Sequence, residues 1–231
     1  MKPFRTLCRL FFLVSLSTGA HAQDGEGDSS AGLPEALAND YLVAANTMSP
    51  NEKFAVIYPK EDSGGEDQIV SLHPFAILGV LETKYPYFKN ESHGGLSAEW
   101  SEDGSVALVT NAGKWGPRDI FLLEFGDGKL KRSTKLLAKA HSLLAEDYRR
   151  ARAQPYNDDF DFVFEDEEEP AWKLEGTKTV RINALASTDP KGAADGKVWE
   201  GRLAATWDIV QGKFTAQKVT RAFAGLRKHE D

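Results

Sequence analysis

Cysteine is nearly missing from this 231-residue chain: Cys8 is the only one. No internal disulfide is available, so the fold must be held by its core alone. An excess of cations is missing as well, with 28 Lys and Arg against 35 Asp and Glu, a formal net charge of −7. That balance argues against a nucleic-acid partner and against binding to an anionic membrane surface, since both select for Lys and Arg. Apolar runs are short. Leu10 to Leu16, "LFFLVSL", falls well below the roughly 20 residues of a membrane span, and no later segment is apolar enough to span a bilayer.

Motifs that carry chemistry are also missing. There is no Gly-x-Ser-x-Gly elbow; "GGLSAE" comes nearest, but Glu99 stands where the second glycine belongs. Beyond the first 22 residues the histidines are His73, His93, His141 and His229, and none falls in a metal-binding spacing. His141 is expected to be solvated. Eight carboxylates and no cation lie between Gln154 and Pro170, yet "NDDFDFVFEDEEE" has Phe162 where a calcium loop needs its glycine turn. A solvated turn, "EDEEEP", is the expectation there. The sequence therefore nominates no catalytic residue, no metal ligand and no cofactor.

What is present begins with an address. Lys2, Arg5 and Arg9 precede the apolar run, and Ala20-His21-Ala22 follows it with the small-x-small pattern of signal peptidase. Residues 1–22 are expected to be a signal peptide, which makes the protein exported, periplasmic or secreted, most simply from a bacterium. Removing them takes away three cations and no carboxylate, so the mature chain is more acidic still. Residues 23–32, "QDGEGDSSAG", have no large side chain to bury and are expected to be a flexible leader.

Residues 33–231 are long enough for one domain. "LPEALANDYL" predicts a short helix with Pro34 near its first turn. Phe54 to Tyr58 predicts a strand, closed by Pro59, and Pro74 is expected to interrupt the apolar stretch "QIVSLHPFAILGVLE". Val106 to Thr110 and Ile120 to Phe125 predict two further strands. Ser49 to Val56 and Ser101 to Leu108 are alike at an offset of 52 residues, each a polar turn feeding an apolar strand. On "EWSEDGSVALV", residues 48–131 resemble the repeat of TolB-type β-propellers, whose blades carry such a turn before a strand. The resemblance implies propeller-like hairpins with Trp100 packed between sheets. A complete propeller is not expected, because that needs at least about four blades of four strands.

Leu136, Leu137, Ala140, Leu143, Leu144 and Tyr148 form one helical stripe, which predicts a helix over 134–152 capped by Ser133 or Thr134. A β-meander over 159–222 should follow. Phe160, Phe162 and Phe164 alternate, as do Val180, Ile182, Ala184 and Ala186, and Trp199 through Ile209 in steps of two. Gln211-Gly212 is expected to make a two-residue hairpin turn with Ile209 opposite Phe214 and Trp207 opposite Ala216. The fold class is then α+β: mainly antiparallel sheet, with propeller-like hairpins, one long amphipathic helix and a C-terminal meander.

Recognition is assigned to "NAGKWGPRD". Lys114, Trp115, Arg118 and Asp119 share a loop with two glycines and a proline, and such a loop can show a flat aromatic and two cations to an anionic or sugar-like ligand. His93, in the Gly-rich "NESHGGLS", is the remaining candidate. The functional expectation is a non-enzymatic binding or interaction module whose partner is a protein or a small anionic or sugar-like ligand. The alternative is a hydrolase-like enzyme on a reduced propeller.

Overall fold

A computed structural model describes residues 27–62, 64–153, 158–165 and 170–228. The expected signal peptide, the acidic residues 166–169 and His229 lie outside the described residues. The chain is mostly antiparallel β-sheet, in three sheets that do not close into a barrel.

The first sheet is a meander of β1 (Tyr41–Val43), β2 (Phe54–Pro59), β3 (Gln68–Leu72) and β4 (Phe75–Val80). Pro74 splits the apolar stretch as expected: β3 and β4 pair across it as a hairpin. A four-residue helix, α1 (Glu35–Ala38), leads into β1. The second sheet repeats the order with β5 (Gly95–Trp100), β6 (Val106–Ala112), β7 (Pro117–Gly126) and β8 (Lys129–Lys135). One longer helix, α2 (Leu136–Ala151), follows at once. The third sheet orders β10 (Trp172–Glu175), β11 (Thr179–Ser187), β12 (Gly196–Asp208) and β13 (Lys213–Arg227), with the short β9 (Asp161–Val163) also on β11.

Alternation of side chains decides how the sheets stack. On β6 and β7, Ala107, Val109, Phe121 and Leu123 pack toward the first sheet, against Phe54, Val56, Tyr58 and Ile69. Their neighbours Val106, Leu108, Ile120 and Leu122 pack the other way, with Leu136, Ala140 and Leu144 of α2 and with Ile182, Trp199 and Leu203 of the third sheet. The second sheet is thus the middle layer. On the far side of the first sheet, Val43, Ala55, Ile57 and Val70 are covered by Leu33 and Leu37 around α1.

The two similar turns share a set of hydrogen bonds. Ser49 N–H donates to the Phe54 carbonyl at 2.8 Å, and Phe54 N–H donates back to Ser49 Oγ at 2.9 Å. Ser101 and Val106 repeat this at 2.9 and 3.0 Å. Asn51 Oδ1 and Asp103 Oδ1 each accept from the serine hydroxyl and from the backbone N–H two residues on. Trp100 packs between the two sheets, stacked with Phe125 at 5.3 Å, and its indole N–H reaches the Thr47 carbonyl at 3.0 Å.

Several expectations need correction. The helix starts at Leu136, and Ser133 and Thr134 do not cap it. They lie in β8, opposite Leu123 and Leu122, because "KLKRSTK" alternates and finds a free strand edge beside β7. The β12–β13 turn is longer than two residues. Trp207 faces Phe214, and a bulge puts Thr206, not Trp207, opposite Ala216. The apolar face survives: Trp207 and Ile209 are buried, with Phe214 packed against the same cluster. Phe164 is exposed, unlike Phe160 and Phe162. His141 is half-buried, stacked on Phe160 at 3.9 Å with Asp159 at 3.2 Å. The expected leader is tied down where it enters the described residues. Ser29 bridges Val43, and Asp28 accepts from the Tyr58 hydroxyl at 2.6 Å and from Ala45 N–H at 2.7 Å.

Candidate functional site

The segment nominated for recognition is not one loop: Arg118 and Asp119 belong to β7, and only Lys114 and Trp115 lie in the turn before it. Trp115 turns toward the third sheet: its carbonyl accepts from Phe164 N–H at 3.1 Å, and Lys114 Nζ lies 4.6 Å from the centre of its ring. Next to it, a Cβ on Gly116 would sit 1.9 Å from the Phe162 carbonyl oxygen, so only glycine lets the loop meet β9 this closely. Arg118 turns the other way. Its side chain crosses Gly113, forms an ion pair with Glu91, and brings its guanidinium 5.9 Å from the centre of the Tyr85 ring.

Arg118 thereby enters a cleft of about 350 Å³ shared with Asp62, Lys84, Tyr85, Pro86, Phe88 and Glu91. Lys84 Nζ stands 5.1 Å from the same Tyr85 ring. The cleft offers one exposed aromatic ring with two cations near its centre, two further apolar side chains and two carboxylates.

Asp119 serves this cleft from behind. Its half-buried carboxyl is pushed up by burial, opposed by the Thr83 hydroxyl and by Lys135. The Thr83 oxygen in turn accepts from Tyr85 N–H at 3.2 Å, which holds the segment carrying the aromatic face. His93 is exposed in the left-handed region, with φ 63°, two residues after Glu91 and outside the cleft lining. Of the five nominated residues, the structure therefore brings Arg118 into a cleft and Asp119 behind it, and leaves Lys114, Trp115 and His93 apart from it.

Sequence reasoning missed Tyr85, Phe88 and Glu91. They lie in "ETKYPYFKNESHG", between the two meanders, where no periodicity marks an element. The usable signal was "KYPYFK", three aromatics around a proline and flanked by lysines. Comparison with protein-family models, with curated proteins and with solved structures finds no match to this chain.

Proposed function

We propose that this protein is an exported binding module rather than an enzyme, and that its ligand seat is the cleft at Tyr85 and Arg118. One observation carries the reading: a guanidinium and an ammonium group both lie against one exposed aromatic ring at the edge of an open hollow. An aromatic face takes the apolar face of a sugar ring, and the cations take a carboxylate or phosphate. A small anionic or sugar-like ligand fits both. Export is supported by the order of basic, apolar and small residues before Gln23. The net charge of −7 argues against nucleic acid.

The α+β reading, with hairpins similar to TolB-type propeller repeats, belongs to the same proposal. The duplicated Ser49 and Ser101 turns support it, and α2 marks the departure from a blade array.

Calorimetric titration with citrate and with chitotriose tests the seat. At least one should bind, and Tyr85→Ala and Arg118→Ala should each abolish the heat. Lys114→Ala should leave it unchanged, because Lys114 lies against Trp115 instead. Binding of neither probe, or equal binding by all four proteins, refutes the assignment.

A further inference from the structure

The inner wall of the cleft is fastened by two carboxyl groups that share an unmet need. Asp67, just before β3, is wholly buried. Its Oδ2 accepts Tyr87 N–H at 3.0 Å, while its Oδ1 has no donor. Glu91 pairs with Arg118 through Oε1, while its buried Oε2 has no donor. Asn111 holds the same stretch of chain, donating from Nδ2 to the Tyr85 carbonyl at 2.9 Å, and its Oδ1 is also without a donor. Among the described residues, three buried acceptor oxygens around Tyr85-Pro86-Tyr87 thus lack a donor. An ionised Asp67 in such surroundings loses hydration and also meets the charge of Glu91. One proton removes the repulsion and supplies a donor.

We infer that Asp67 holds a proton at mild acidity, and that this proton keeps the wall from Tyr85 to Glu91 seated, making the cleft proton-dependent. The functional half of this rests on the cleft being the ligand seat; the proton on Asp67 does not. Asp67 and Glu91 are positioning residues. Asp67 holds the backbone between Tyr85 and Glu91, and Glu91 holds Arg118.

Burial first, and then the charge of Glu91, push the Asp67 carboxyl from its ordinary 3.8 up to about 7, against the pull of Tyr87 N–H. The other groups nearby do not relieve it. Arg118 is engaged by Glu91, the Tyr58 phenol packs on Tyr87 at 4.8 Å and donates to Asp28, and Asp62 and Lys84 line the open side. The sign follows. A carboxyl raised in the seated wall binds a proton that the opened, solvated wall releases, so seating is strongest below the ordinary carboxyl range. It weakens as pH rises from 3.8 to about 7 and is constant above that.

The amide of Tyr87 reports directly. Between pH 5 and 7, its opening equilibrium from hydrogen exchange, corrected for intrinsic rates, should rise by up to about tenfold per pH unit in the wild type. It should stay flat in Asp67→Asn, which has no proton to lose in this range and keeps an oxygen for Tyr87 N–H. A flat wild-type profile, or the same slope in Asp67→Asn, overturns the inference. Carbon-13 carboxyl titration of the wild type decides the matter without a variant. Asp67 should titrate near neutrality, and its midpoint should fall in Glu91→Gln; titration wholly below pH 5 overturns it. If Asp67 titrates as stated but citrate and chitotriose do not bind, the proton on Asp67 stands and the cleft reading falls.

Discussion

β7 and β13 are both long antiparallel strands, and they live in opposite surroundings. β7 lies in the middle sheet, and its central residues Ile120 to Leu123 are all buried, alternately against the first sheet and against α2 and the third sheet. β13 is the edge of the third sheet, and residues 215–222 are exposed on both faces. Composition follows surroundings. "IFLL" is apolar without alternation, as a strand covered on both sides requires. β13 mixes Thr, Ala, Gln, Lys and Arg, and from Ile209 to Lys228 it has five cations and no carboxylate. Cations on a free edge deter the addition of another strand. Two of them also tie β13 down: Arg221 pairs with Asp147 of α2 at 2.7 Å, and Arg227 with Glu200 at 2.8 Å.

The comparison breaks most visibly at Leu122. Its side chain is fully buried between the middle sheet and α2, so Leu122→Ala should cost about 2–5 kcal/mol, read by urea denaturation. A loss below 1 kcal/mol would mean that the layers are not in contact there. A smaller effect is expected at the turn that starts β6. Ser101 Oγ serves the buried Val106 N–H and the Asp103 carboxylate, so Ser101→Ala should cost about 1–3 kcal/mol, the penalty of stranding a buried donor. Ser49→Ala should fall in the same range, since its bonds to Phe54 and Asn51 match those of Ser101 to Val106 and Asp103; a negligible cost at one serine alone would separate the two turns. The smallest effect belongs to β13. Val219 faces Leu203 across the ladder but is 37% exposed, and Val219→Ala should stay within about 0.5 kcal/mol. A cost like that of Leu122 would show that β13 is covered by something more than its own sheet.

Strands, turns and the helix were legible because each depends on neighbours in sequence. The stripe from Leu136 to Tyr148 predicts α2, and steps of two predict the buried faces of β11 and β12. The errors fall where distant residues compete. Ser133 and Thr134 are good caps by themselves, but the free edge of β7 recruits them into β8. His141 is polar and off the stripe, but Phe160 arrives from beyond the helix to stack on it. The register fails because the turn spans four residues, 209–212, so Asp208 already faces Lys213 before the bulge at Trp207 shifts the count again. The candidate site was legible only in part. Arg118 was named for its type, but its partners Tyr85 and Glu91 lie about 30 residues earlier, in a segment without a pattern.

The sequence by itself determined the acidic charge, the near absence of thiols, the strand-rich character and the duplicated Ser turns. These follow from composition and from interactions reaching only a few residues. The tertiary structure decided the rest. It chose which layer is central, which way each residue of "KWGPR" points, and that Asp67 is buried beside the charge of Glu91. Desolvation and charge coupling depend on what surrounds a group in space, and for Asp67 that is a loop some 20 residues away.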